Sequence, residues 1–171
     1  EAVGDTHIKA EGMAGRIGQQ LMAVVADGDR RRVYLPATEE HIIAAASVAR
    51  PADVPEQELV DEPRAIWCKL YGLTRHADLF TNRQLAALTT FSDLVGRARE
   101  KAEGDALAAG LRPEQASAYG RAVATYLGLG VSRLTDIQNS LCRWENSRGQ
   151  VRNLFARQAI PMVWDFGEAG L

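Results

Sequence analysis

Four arginines, Arg143, Arg148, Arg152 and Arg157, fall within one short span and are opposed there only by Glu145. Asn146, Ser147, Gln150, Asn153 and Gln158 lie among them, and Trp144 adds a flat apolar surface. The guanidinium is planar and always charged, and its fork matches two phosphate oxygens at once. Asn and Gln pair with base edges, and an indole ring stacks on a base. Arg143, Trp144, Arg148, Arg152, Asn153 and Arg157 are therefore the candidate DNA contacts. The competing reading is a solvated helix end, with Trp144 as ordinary core. Arg30-Arg31-Arg32 forms a second basic spot. Trp164, Asp165 and Glu168 surround Phe166, and acids beside aromatics line a cofactor or base pocket, or cap a strand end.

Other chemistries are not spelled out. Gly12-Met-Ala-Gly15-Arg-Ile-Gly18 has evenly spaced glycines but no preceding apolar strand, which a dinucleotide loop requires. No serine sits in a nucleophile elbow, and no carboxylate pair stands apart from the surface acids. His7, His41 and His76 show no ligand spacing, and Cys68 and Cys142 stand alone. Neither a metal site nor a catalytic residue is expected. Two buried, reduced thiols suit a cytoplasmic protein. The net charge of -2 gives no overall pull toward nucleic acid or membrane. No apolar run approaches the roughly 20 residues of a membrane span. Lysine occurs only at Lys9, Lys69 and Lys101, so nearly all positive charge is arginine. That bias reflects either codon usage in a GC-rich genome or recognition of phosphate and carboxylate.

The elements that must position these groups are legible from periodicity. Glu1 to Gly18 reads as Gly-rich and irregular. Leu21 to Ala26 and Arg32 to Pro36 flank Asp27-Gly-Asp-Arg, a hairpin signal favoured over a helix from Gln19 to Ala26. Arg30-Arg31-Arg32 falls at its tip, where charge often serves only solubility. Thr38 caps a short helix running to about Arg50. Residues 1–50 thus form a lead-in, β-hairpin and short helix. Residues 51–80 form an acidic, proline-bearing loop and an apolar anchor of Trp67, Leu70, Tyr71 and Leu73. Residues 81–171 form a helical core ending in a strand-like Met162 to Phe166.

Thr81 opens the first long helix, with a stripe through Leu85, Leu88, Phe91, Leu94, Val95 and Ala98. The helix fades between Gly104 and Gly110. Pro113 opens the second, with Tyr119, Val123, Tyr126, Leu127, Val131, Leu134, Ile137 and Leu141 on one stripe. A short link pairs the two as an antiparallel helical hairpin whose stripes form the core, with Leu88 and Leu134 buried. Gly120, Gly128 and Gly130 cost roughly 1 kcal/mol each in helix propensity, which points to close backbone approach or to a kink. Val151 to Ile160 reads as a short third helix. The fold class is mainly α, with a small N-terminal β-hairpin.

The chain resembles the adenine-specific DNA methylases that carry a zinc ribbon between their cofactor and catalytic motifs. The matching words are Ile8-Lys-Ala-Glu-Gly12, Leu21-Met-Ala-Val-Val25, Arg32-Val-Tyr-Leu-Pro36, Thr38-Glu-Glu-His41 and Tyr71-Gly-Leu. They continue with Asp78-Leu-Phe-Thr, Arg83-Gln-Leu, Leu141-Cys-Arg-Trp144 and Arg157-Gln-Ala-Ile-Pro-Met-Val-Trp-Asp-Phe-Gly-Glu168. The family's Asp-Pro-Phe-Ala-Gly-Gly-Gly type cofactor loop and its Asp-Pro-Pro-Tyr motif are both absent. The resemblance therefore implies an internal segment of a larger methyltransferase. The parent would use S-adenosylmethionine to methylate adenine in DNA. The segment itself would hold no cofactor. Its partners would be DNA, through the parent, and the parent's remaining domains, with no membrane. Relatives favour Pro where Asn82 stands and Asn-Pro where this chain has Ala169-Gly170, which weakens any cofactor role for Asp165 to Glu168. The rival expectation is a helical interaction or dimerisation module without DNA contact.

Overall fold

The computed structural model describes residues 3–170. Its elements are α1 (Asp5–Met13), β1 (Ala23–Asp27), β2 (Arg32–Pro36), α2 (Glu39–Ala46), α3 (Asn82–Ala108), α4 (Pro113–Ile137), β3 (Trp144–Glu145) and β4 (Gln150–Val151). Two 3₁₀ turns, Trp67–Tyr71 and His76–Leu79, precede α3. The protein is mainly α, and its strands form two separate antiparallel ribbons, β1–β2 and β3–β4. Among the described residues no helix is long and apolar enough to cross a membrane.

The long helices begin and end where their chemistry dictates. The Thr81 hydroxyl accepts from Gln84 N at 3.1 Å, and Gln84 Oε1 accepts from Thr81 N at 2.8 Å. This reciprocal pair satisfies two donors that a helix start otherwise strands. α3 continues through Gly104 to Ala108 and is stopped by Gly110, which has φ +90°. Leu111 N then reaches back to Ala106 O at 3.1 Å, and Gly110 N to Leu107 O at 3.0 Å. This is a Schellman closure, which only a left-handed residue permits cheaply. Pro113 takes the first position of α4 and supplies a preset φ. Along the pair, Gly120 marks a close approach, since a Cβ there would sit 2.9 Å from Arg99 O. Gly128 and Gly130 face open space, so close approach does not account for them.

The core is not the helical stripe. Leu85, Leu88 and Ala116 are buried, but Leu134 is only half-buried and Leu94, Tyr119, Tyr126 and Leu127 are exposed. Two helices touch along a single line, so a stripe this broad needs a third element, which no described residue supplies. The buried cluster is Leu59, Ile66, Cys68, Leu79, Leu141, Cys142 and Leu154, with Phe80, Val151, Ile160 and Met162 packed around it. It lies at the base of the hairpin, in the loops on either side. Of the expected anchor, Trp67 and Leu70 are exposed, and Cys68 between them is the buried residue.

Other expectations also change. The Gly-rich start contains α1, which docks by backbone. A Cβ on Gly12 would overlap the Tyr71 carbonyl, and one on Gly72, at φ +89°, would overlap Gly12 O. Glu1 and Ala2 of that stretch, and Leu171 of the last, lie outside the described residues. α2 stops at Ala46, short of Arg50. No third helix forms over 151–160, because its donors are already taken. Leu154 N bonds Asp136 O at 2.9 Å and Phe155 N bonds Asp136 Oδ1 at 2.7 Å. The strand-like Met162 to Phe166 makes one bridge, Phe166 with Arg143.

Truncating Leu79 or Leu141 to Ala should cost about 2–5 kcal/mol in urea unfolding, as for fully buried leucines. Leu134→Ala should cost about 1 kcal/mol. A larger loss at Leu134 than at Leu141 would return the core to the helical stripe.

Candidate nucleic-acid interface

The second ribbon positions the arginines. Its turn closes at Gly149, with φ +58°, and Arg148 N reaches Glu145 O at 3.3 Å. Glycine fits this left-handed position without strain. Trp144 pairs with Val151 and Glu145 with Gln150. The same register sets Arg143 opposite Arg152, joined by Arg152 N to Arg143 O at 2.8 Å. Strand alternation then puts Arg143, Glu145, Gln150 and Arg152 on one face and Trp144 and Val151 on the other. Arg143 and Arg152 are both exposed. Glu145 offsets part of this charge, with its Oε2 at 3.5 Å from Arg152 Nη1 and accepting from Gln150 Nε2 at 3.2 Å.

The inner face is occupied. A Cβ on Gly167 would lie 3.2 Å from the Trp144 ring, and Gly167 N bonds Cys142 O at 2.7 Å. Tyr34 meets the Trp144 ring edge-on at 6.3 Å, and the Arg32 guanidinium lies over it at 5.8 Å. Trp144 Nε1 is buried without a hydrogen-bond partner among the described residues. Trp144 is thus a half-buried packing residue, held by Tyr34, Arg32 and the Gly167 backbone.

Those contacts join the two basic spots. Asp27 pairs with Arg32 and Val25 with Tyr34 across β1–β2, so Arg32 and Tyr34 share one face of the first ribbon. The Arg32 side chain runs past the second turn, 3.3 Å from where a Gly149 Cβ would be. The tip carrying Arg30, Arg31 and Arg32 therefore lies beside the tip carrying Arg148. Among the described residues, none of Arg30, Arg31, Arg32, Arg143 and Arg148 forms an ion pair. The hairpin signal located the first tip in the sequence. Nothing there announced its docking on Trp144, which links positions over a hundred residues apart.

The remaining candidates scatter. Asn153 is half-buried and donates to Asp136 Oδ2 at 3.3 Å, a structural bond. Arg157 is exposed on the loop from Phe155 to Ile160, outside the ribbon. Trp164 is 57% exposed and lies edge-on to Tyr71 at 5.2 Å, and Asp165 beside it is exposed. Tyr71 in turn donates to Asp5 at 3.0 Å, and the Lys9 ammonium, helped by this bond, holds the Asp5 carboxyl below its usual range. Glu168 is elsewhere. It grips Arg83 through two bonds of 2.9 and 3.0 Å and accepts from Thr81 Oγ1 at 3.4 Å, at the positive end of α3. Arg83 also reaches Ala45 O at 2.8 Å. Glu168 ties the tail to α2 and α3, so the three pocket candidates do not form one site. Among the described residues no group of three or more His, Cys, Asp or Glu is placed to hold a metal ion. No protein family, curated protein or solved structure compared with this chain matches it.

Burial pushes the Cys68 thiol up to about 11 and raises Cys142 in the same direction. Both are free thiols. A raised folded pKa means the native state holds its proton longer than the unfolded chain does. The stabilisation is complete below the ordinary thiol value and is lost as pH rises toward about 11. Thermal unfolding should show stability declining across that alkaline window. A thiol reagent at pH 8 should react with neither cysteine until the protein unfolds. Rapid labelling of native Cys68 would contradict its burial.

Proposed function

We propose that this chain is the DNA-contacting segment of an S-adenosylmethionine-dependent adenine-specific DNA methyltransferase. The observation that carries the DNA contact is the opposition of Arg143 and Arg152 on one exposed ribbon face, with Arg148 at its turn. Guanidiniums without full carboxylate partners suit a polyphosphate surface. The methyltransferase assignment rests on the run of matching words from Ile8 to Glu168. Methylating an adenine amino group requires the base to leave the stack, and the enzyme must grip the flanking backbone while it does so. This chain would supply that grip and no catalytic residue. The cofactor would be held by other parts of the parent.

A second reading has its own support. An apolar groove of about 300 Å³ runs between α3 and α4, lined by Phe91, Leu94, Val95, Leu127, Val131 and Leu134. An uncovered surface of this kind suits a protein partner, and on the first reading the parent's remaining domains would fill it.

Fluorescence anisotropy with a short DNA duplex tests the DNA contact. Arg143→Ala/Arg152→Ala should reduce the salt slope of log K by about 1.8, two phosphates at roughly 0.9 each. The loss should be similar for all sequences. Equal affinity and slope for wild type and variant would discard the DNA reading and leave the interaction module. Calorimetry with S-adenosylmethionine should give no micromolar binding to this chain. Such binding would place a cofactor site within it.

A further inference from the structure

The first hairpin tip has features that solubility does not explain. Arg30 has φ +58° and is the one non-glycine residue at positive φ among those described. A left-handed turn position is met without strain by Gly, and at small cost by Asn. An arginine there keeps a strained backbone and places a charge at the apex. Such outliers tend to be retained where a function needs them. Arg31 is exposed beside it, and Arg32 is held in one pose by the Trp144 ring below its guanidinium. Cation–π contact leaves the guanidinium edge free to donate. The second tip, with Arg148, lies alongside through Arg32 and Gly149.

We propose that the two hairpin tips form one composite phosphate-binding edge for duplex DNA. Arg30, Arg31 and Arg32 supply one side of the edge and Arg148 the other, with Trp144 as the residue that positions Arg32. Asp27, Asp29 and Glu145 are the acids on the two ribbons, which carry six arginines in all, four of them at or beside the two turns. The excess is local, since the whole chain carries -2. Backbone binding follows from the chemistry. The edge offers guanidiniums as donors, and the Arg32 guanidinium lies over the Trp144 ring, where a base would otherwise stack. The partner is therefore a regular array of phosphates and not unstacked bases. A two-stranded ribbon is also narrow enough to enter a major groove of about 12 Å. The proposal rests on the DNA reading above and extends it to the first hairpin.

The test compares variants of the full chain by anisotropy with a 20-base-pair duplex across a salt series. Arg30→Gly relieves the backbone and removes the charge together. Its melting temperature should hold or rise, while the salt slope falls by about 0.9. Arg30→Lys should restore most of that slope. Trp144→Phe should retain binding. Trp144→Ala should lose the Arg32 contribution, so that adding Arg32→Ala changes the slope no further. Polyglutamate should compete poorly with duplex. If Arg30→Gly and Arg31→Ala leave the slope intact while Arg143→Ala/Arg152→Ala flattens it, the composite edge is wrong and the DNA reading stands. If neither pair changes the slope, both fail. Equal competition by polyglutamate would reduce the edge to a general polyanion patch and overturn the proposal.

Discussion

The end of α4 is the constraint on which the other segments depend. A helix terminus leaves its last carbonyls without partners, and here the residues that follow are buried. The chain answers with polar side chains: Gln138, Ser140 and Asp136 each bind a different, distant segment, and Asn139 closes the turn locally. Gln138 brackets Ala169, accepting from its N and donating to its O, both at 3.0 Å. Asn139, fully buried, turns back to Thr135 O at 2.9 Å and accepts from Leu141 N at 3.0 Å. Ser140 donates twice to Leu79 O, through N at 2.8 Å and Oγ at 2.9 Å. Asp136 holds Phe155, Asn153 and Arg133. An unpaired buried polar group costs about 1–3 kcal/mol, so these groups stabilise one arrangement of the loops and penalise others.

The apolar cluster and the candidate site both follow from that junction. Leu141 and Cys142 come directly after it and enter the core between Leu79 and Leu154. Arg143 and Trp144 come next, and alternation sends one outward and the other inward. The Cys142 carbonyl receives Gly167 N, which sets the tail under the indole, and Glu168 then reaches Arg83. Glycine at 167 is a packing requirement, because a side chain would press on Val151 and Trp144. The surface arginines are thus carried on strands only two residues long, whose stability is tertiary and not intrinsic.

Local signals were readable in the sequence and long-range ones were not. Thr81 with Gln84, Pro113 after a glycine stop, Thr38 before two acids, and Asp27-Gly28 between apolar runs each encode a terminus or turn within four residues. All four appear in the structure. The periodic stripes found the helices but misplaced the core, since periodicity reports an apolar face and not what covers it. α1 escaped notice because Gly4, Gly12, Gly15 and Gly18 read as breakers, whereas Gly12 serves docking against Tyr71. The 151–160 segment has helical composition, yet Asp136 captures its backbone donors. The basic span was legible as a charge cluster. Its division into a ribbon face, a structural Asn153 and a separate Arg157 depended on the register of β3–β4.

The packing of Trp144 bears on what kind of contact the surface makes. An exposed indole amid arginines would favour single strands, where stacking adds to charge. Here Tyr34, Arg32 and Gly167 pack against the half-buried ring, and guanidiniums are exposed beside the amides of Asn146 and Gln150. Asn153, one of the amides suited to an adenine edge, is engaged with Asp136, and Gln150 donates to Glu145. Guanidiniums on the surface would pair with a phosphate backbone, which is the same for every sequence. On the DNA reading, this segment therefore sets affinity and register on the duplex. On the same reading, the uncovered groove between α3 and α4 would face the parent's remaining domains.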